Sequence, residues 1–281
     1  MVAMTTDKIA SAATGLARWR WRVQSLFLLA WMDPFMLRLH GVCGPVFHCY
    51  SCPLATFACP IGVLANFSAV HLVPYLAIGT LLVVGMIAGS FVCGWACPFG
   101  FLQDLLHRIP APKFTLPAWT GWLRYGVLLG LVLAIPYWYG EPHALFFCRV
   151  CPAGALEAAL PHTASTVIHG DPVAWPGAAK IAILLSTVAG AVLLWRPWCG
   201  VLCPLGAIFG LCNRVSFLYL HFHTESCRDC QRCRSLCHRG GRPQQRVDDL
   251  RCVRCLECDQ CSAVSVDSVW KREKKGLGIG D

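Results

Sequence analysis

The chain has 281 residues, of which 56% are hydrophobic and 14% charged, with 19 cysteines and a formal net charge of +9; its mean hydropathy is +0.53. Soluble domains carry about 25% charged residues, so this composition excludes an ordinary soluble enzyme and points to a membrane protein. A secreted disulfide scaffold, short and polar, is excluded too, and the basic excess is of the kind membrane proteins keep in cytoplasmic loops, not a nucleic-acid signal.

In chain order, residues 1–19 read as a cytoplasmic N-terminal segment. Arg18, Arg20 and Arg22 precede the apolar VQSLFLLAW, and Met32, Asp33 and Pro34 follow without a small-residue cleavage site, so an uncleaved first membrane helix is expected. A bilayer is crossed by about 20 apolar residues, and four stretches qualify, roughly 20–40, 71–92, 122–140 and 178–196. Asp33-Pro34 interrupts the first, while aromatics open and close the third, as an interfacial belt would. Lys8, Arg18, Arg20, Arg22, Arg108, Lys113, Arg124, Arg196 and Arg214 would face one side, and Arg38, Arg149 and Lys180 the other. Such a bias sets both termini in the cytoplasm of a multi-pass bacterial inner-membrane protein. From about 221 the chain is polar, basic and cysteine-dense, and a flexible tail is expected over 266–281.

The cysteines repeat. CYSCP and CRVCP place Cys49 and Cys52 against Cys148 and Cys151 at an offset of 99; CGWACPFG and CGVLCPLG place Cys93 and Cys97 against Cys199 and Cys203 at an offset of 106. The 20–220 region therefore reads as two parallel pseudo-repeats. Within a repeat the two pairs sit at opposite ends of a span of about 30 Å, so like pairs must meet across the repeats. An inner quartet of Cys93, Cys97, Cys199 and Cys203 and an outer quartet of Cys49, Cys52, Cys148 and Cys151 each have the four thiolates an iron–sulfur cluster needs. Cys93 and Cys97 are expected on one helix face, with Pro98 and Pro204 opening new helices whose N–H groups meet sulfur. Disulfide chemistry is the alternative for the outer quartet, and Cys59, in ACPIG, complicates it by matching the CPAG of 151–154.

CRDCQRCRSLC over 227–237 and CVRCLECDQC over 252–261 have the spacing of two-cluster ferredoxins, where the fourth cysteine of each run crosses to the other cluster. Cys227, Cys230 and Cys233 then pair with Cys261, and Cys252, Cys255 and Cys258 with Cys237, for two 4Fe-4S clusters. Zinc is the competing occupant. His238 and Ser262 stand where such runs usually carry proline, and the second run is one residue short. The fold class expected is an α-helical polytopic membrane protein of about four spans with a small bacterial-ferredoxin-like α+β domain over 221–265.

CGWACPFGFLQDLLHRI, CGVLCPLGA and the C-terminal cysteine runs together resemble the membrane-bound polyferredoxins of the NapH, NosR and CcoG kind. The resemblance implies a cytoplasmic ferredoxin domain, as well as electron transfer between a quinol or cytoplasmic donor and a periplasmic redox partner such as a cytochrome or reductase. It implies a quinol dehydrogenase-like subunit rather than a stand-alone enzyme, with lipid but no nucleic acid as a further partner. One or two further clusters in the membrane part, and quinol, are the additional cofactors considered. No catalytic residue is assigned; His107 with Asp104, and Glu141 with His143, are candidates at a quinol site. The alternative function is redox maturation or metal handling at the outer face, with copper or a disulfide reduced near His40, His48, His71 and His143.

Overall fold

The structure, a computed structural model, describes residues 19–32, 41–46, 49, 57–169, 177–225, 227, 232–239, 241, 250–260 and 263–268. Cys52, Cys230, Cys261, His40 and His48 lie outside the described residues, as does the C-terminal tail.

The chain is mostly helical. In order come α1 (Arg20–Trp31), α2 (Pro60–Ala69), α3 (Tyr75–Ala88), α4 (Pro98–Leu106), α5 (Leu123–Val127), α6 (Ile135–Tyr139), α7 (Phe147–Val150), α8 (Pro152–Gly154), α9 (Leu160–His169), α10 (Ala178–Leu193), α11 (Pro204–Cys212) and α12 (Arg232–Leu236). β1 (Leu218–Phe222) and β2 (Val264–Ser268) pair antiparallel, Leu218 opposite Ser268 and Phe222 opposite Val264. This ribbon brings the two ends of the C-terminal cysteine region together.

Of the four expected spans, one is long and apolar enough on its own, the continuous helical run Trp119–Tyr139 that contains α5 and α6. Trp119 and Trp122 are exposed at one end, and Tyr137, Trp138 and Tyr139 at the other, the placement of interfacial aromatics. The span expected over 71–92 is cut shorter. Pro74 precedes Tyr75, and Gly89 ends α3 at φ 53, a conformation glycine adopts without strain. At 14 residues α3 rises about 21 Å, and α10, at 16 residues, about 24 Å. Leu76, Leu82, Val83, Met86 and Ile87 of α3 and Leu185 of α10 are exposed apolar side chains.

Four π-helical runs, Val92–Ala96, Leu128–Ala134, Ala155–Ala159 and Trp198–Leu202, each end two residues before a proline: Pro98, Pro136, Pro161 and Pro204. Proline has no N–H to give the carbonyl four residues back and its ring crowds that carbonyl. Lengthening the preceding turn relieves the crowding. Pro136 and Pro161 thereby stay inside helices. At Pro98 and Pro204 the chain instead breaks, and Cys97 and Cys203 donate N–H to Val92 O (3.0 Å) and Trp198 O (2.9 Å). The expectation that Cys93 and Cys97 share an α-helical face is thus corrected: Cys93 rides the π turn and Cys97 is extended, at φ −73 and ψ 116.

The core lies between the helices, with Ile61, Phe99, Val132, Phe147, Leu205 and Phe209 almost fully buried. α10 runs beside it. Its start lies near Cys148, which feels the charge of Lys180. Its end meets α4 and the segment that follows it, from which Lys113 Nζ donates to Val192 O at 2.6 Å.

Candidate functional site: a buried cysteine quartet under the C-terminal cysteine segment

The two CxxxCP phrases fold alike and face each other. Cys93 and Cys199 sit on π turns, and Cys97 and Cys203 cap α4 and α11 with Pro98 and Pro204 as the first helical residues. All four are buried, and the charged form of Cys203 would be opposed by those of Cys199, Cys93 and Cys97. Burial, then Cys199, pushes the Cys93 thiol up to about 12. Thiols so crowded do not ionise together without a cationic centre to share the charge.

The surroundings suit anionic sulfur. Gly100 N–H donates to Cys97 Sγ at 3.4 Å and Gln103 Nε2 to Cys199 Sγ at 3.1 Å. Arg196 and Arg124 act on Cys93, and Arg239 on Cys199, each favouring thiolate. Among the described residues, ligand atoms of three His, Cys, Asp or Glu side chains approach within 4.8 Å of one another only at His221, His223 and Asp267 on the ribbon. The quartet is therefore wider than a zinc site, where Zn–S bonds of about 2.3 Å set tetrahedral sulfurs roughly 3.8 Å apart. Four buried thiols are the donor set an iron–sulfur cluster takes.

Beneath the quartet lies a buried ion-pair network that sequence reading did not find. Asp104 accepts from Arg196 Nε at 2.8 Å and Nη2 at 2.5 Å, and also from Arg20. Arg196, with no exposed surface, also donates to Cys93 O at 2.6 Å and Gly94 O at 3.3 Å. Burial would raise the Asp104 carboxyl, but the charge and hydrogen bonds of Arg196, with Arg20, hold it at about 2. Asp104 is thus committed to arginines, and the expected Asp104–His107 proton pair does not form. His107 Nδ1 faces Ala191 O at 3.3 Å, and burial, with Lys113 nearby, pushes its imidazole down to about 4. His143 Nδ1 accepts from Leu145 N at 3.2 Å, and Glu141 acts on Cys148.

The C-terminal cysteine segment is docked directly on this site. Trp95 Nε1 donates to Arg254 O at 3.1 Å, Asn213 Nδ2 to Cys252 O at 2.9 Å and Arg239 Nη2 to Gly200 O at 2.9 Å. Arg254, fully buried, donates to Ala88 O (3.0 Å), Leu218 O (2.7 Å) and Asn213 O (3.0 Å). Arg124 bonds Leu250 O. The approach is close enough to require glycine: a Cβ on Gly94 would strike Val253 O, and one on Gly210 would strike Leu250 O.

Within that segment Cys237, Cys252, Cys255 and Cys258 line one cavity, the very set expected for a crossed ferredoxin ligand group. Gly241 N donates to Cys237 Sγ at 3.2 Å and Arg254 N to Cys252 Sγ at 3.4 Å. His238, in the place of the usual proline, stacks on Trp195 at 5.1 Å and pairs with Glu257 at 2.6 Å. Glu257 in turn bonds Arg20 at 2.9 Å. Of the other expected set, Cys227 and Cys233 are described, the latter buried; Cys230 and Cys261 are not.

At the other end, Cys49, Cys148 and Cys151 are brought together, with Cys59 as a fourth neighbour. His71 packs its ring on Tyr137 at 4.4 Å.

Paired CxxxCP turns and a clustered ferredoxin-type cysteine set define an iron–sulfur protein. A 4Fe-4S binding domain family matches the chain twice, over residues 70–117 and 177–219, so each match contains one CxxxCP phrase. The chain is similar to the uncharacterized protein MJ0750 of Methanocaldococcus jannaschii, 27% identical over 79% of this chain and 90% of that protein. It is 23% identical to the putative electron transport protein YccM of Escherichia coli over 62% of this chain and 48% of YccM. To the ferredoxin-type protein NapH of Haemophilus influenzae it is 26% identical, over 63% of this chain and 59% of NapH. The chain thus matches about half the length of the last two. It resembles the membrane-bound 4Fe-4S polyferredoxins of the NapH and NosR kind. No solved structure matches.

Proposed function

We propose that the protein is a membrane-embedded iron–sulfur relay that moves electrons between a quinol or cytoplasmic donor and a redox partner across the bacterial inner membrane. Cys93, Cys97, Cys199 and Cys203 would hold one 4Fe-4S cluster, and Cys237, Cys252, Cys255 and Cys258 a second. A third would take Cys227, Cys230 and Cys233 with Cys261. A cluster supplies one-electron exchange; the chain's part is to place, insulate and charge-balance it. The observation that carries this reading is the docking of the C-terminal cysteine segment on the two CxxxCP turns, Val253 and Arg254 against Gly94 and Trp95 and Arg239 against Gly200. Short apolar helices, one longer span and exposed apolar faces support several membrane crossings with the C-terminal region on the positive-inside face.

The test is anaerobic purification of the full chain in detergent, with iron and sulfide measured per chain and electron paramagnetic resonance of the dithionite-reduced protein. Cys97→Ser should lose about four irons and four sulfides together with one set of resonances. Unchanged iron in that variant would refute the inner cluster. Reduction of the remaining clusters by a soluble quinol analogue reports the donor, and failure of quinol to reduce any of them would leave the cytoplasmic donor.

A further inference from the structure

The chain contains four CPxG phrases, at 59–62, 97–100, 151–154 and 203–206, and the structure folds all four alike. Cys59, Cys97, Cys151 and Cys203 each cap a helix with extended backbone, at φ −65, −73, −75 and −70 and ψ 121, 116, 121 and 115. Each is followed by proline as the first helical residue, and at Cys59 and Cys97 the sulfur accepts the N–H of the glycine three residues on, Gly62 and Gly100, at 3.4 Å. Two of these caps build the inner quartet. The other two, Cys59 and Cys151, meet at the far end of α10. Cys148 lies near Cys59 and Cys151, and Cys49 Sγ lies 3.5 Å from where a Cβ on Gly154 would stand.

We propose that Cys49, Cys59, Cys148 and Cys151 form a second four-thiolate site for a 4Fe-4S cluster, at the opposite end of the bundle from the Cys93/Cys97/Cys199/Cys203 site, with Cys59 as the fourth ligand. The local chain is built to hold Cys59 there. Residues 42–44 pair with Ala58 through Gly44 N to Ala58 O (3.0 Å) and Ala58 N to Val42 O (2.9 Å), which fixes the residue before the cap. Cys49 N–H is held by Glu157 Oε2 at 2.8 Å. Cys59 and Cys151 are buried, and the Cys59 sulfur, accepting the Gly62 N–H at a helix start, stands as a metal-bound thiolate does. No three of these sulfurs lie within 4.8 Å of one another among the described residues, again too open for one tetrahedral ion. The inference rests on the reading that the inner CPxG pair holds a cluster, since it transfers that device to the other pair.

The experiment compares iron, labile sulfide and reduced-state resonance in the anaerobic full-length protein and in Cys59→Ser, Cys52→Ser and Cys97→Ser. Cys59→Ser should lose about four irons and four sulfides, while Cys52→Ser keeps all of them. Wild-type iron in Cys59→Ser, or loss in Cys52→Ser instead, overturns the proposal, as does a peptide map of the untreated protein showing a disulfide among the four. If Cys97→Ser keeps its iron while Cys59→Ser loses its share, the inner reading fails and the outer site stands. The reverse pattern sinks the outer site alone. If Cys59→Ser does not accumulate, Cys148→Ser, at a half-buried position, decides in the same assay: loss of the same four irons supports the site and retention overturns it.

Discussion

Asp104→Asn isolates what holds the inner site together. Asp104 is the carboxylate shared by Arg196 and Arg20, and all three side chains are at most 9% exposed. The amide keeps the shape but removes the carboxylate that pairs with Arg196, whose other bonds go to backbone carbonyls of Cys93 and Gly94. Breaking one partner of a buried pair costs about 3–5 kcal/mol, because a charge is left buried without compensation. At about 2–4 °C per kcal/mol for a chain of this class, the thermal midpoint in detergent should fall by roughly 6–20 °C. Adding Arg196→Met should recover part of that loss, since replacing both partners is far cheaper than orphaning one. A midpoint within about 2 °C of wild type for Asp104→Asn would refute the argument that this pair fixes the turn under the cysteines.

The remaining expectations use the same geometry. Asp104 has a folded value, about 2, below its ordinary 3.8, so its contribution is complete above that ordinary value and is lost as pH falls toward 2; tryptophan fluorescence against pH should show this step in wild type and not in Asp104→Asn. Gly94→Ala would drive a methyl into Val253 O, so residues 250–258 should exchange amide hydrogens faster while the helices do not. Arg239→Gln removes a positive charge that favours the Cys199 thiolate. It should lower the potential of the inner cluster by on the order of 50 mV in a redox titration, the scale of one charge acting through a protein interior. Glu257→Gln should break the ion pairs to Arg20 and His238 and, since Arg20 stays on Asp104, free mainly His238, raising proteolytic cleavage near residue 239.

The inner quartet was legible because its signal is local and doubled: two phrases with one spacing and a proline in the same place. The gathering of Cys237, Cys252, Cys255 and Cys258 around one cavity has the same kind of local signal. The outer set was read by adjacency, pairing Cys49 with Cys52, although ACPIG carried the same four-letter cap as CPAG. A ligand supplied from ten residues further along, as proposed for Cys59, would leave no spacing signature; the bridge between 42–44 and Ala58 is what sets its place. Helix lengths were overread because hydropathy does not register Pro74 or the left-handed Gly89. The arginine network was illegible for another reason. Asp104 sits three residues from His107, which suggested a proton pair, and nothing in the linear chain says that Arg20 and Arg196 converge on it.

The shortness of α10 bears on energetics at the scale of the membrane. With one sulfur set near Lys180 and the other just past Leu193, the separation along its axis is about 24 Å, against a hydrocarbon layer of about 30 Å. For a chain set across the bilayer as proposed, an electron passed between the two ends would traverse about four-fifths of the transmembrane voltage. At 100 mV that is roughly 1.8 kcal/mol per electron. The ratio of reduced to oxidised sites at the two faces would shift about twentyfold between an energised and a collapsed membrane, making the direction of flow responsive to the energy state of the cell without any moving part.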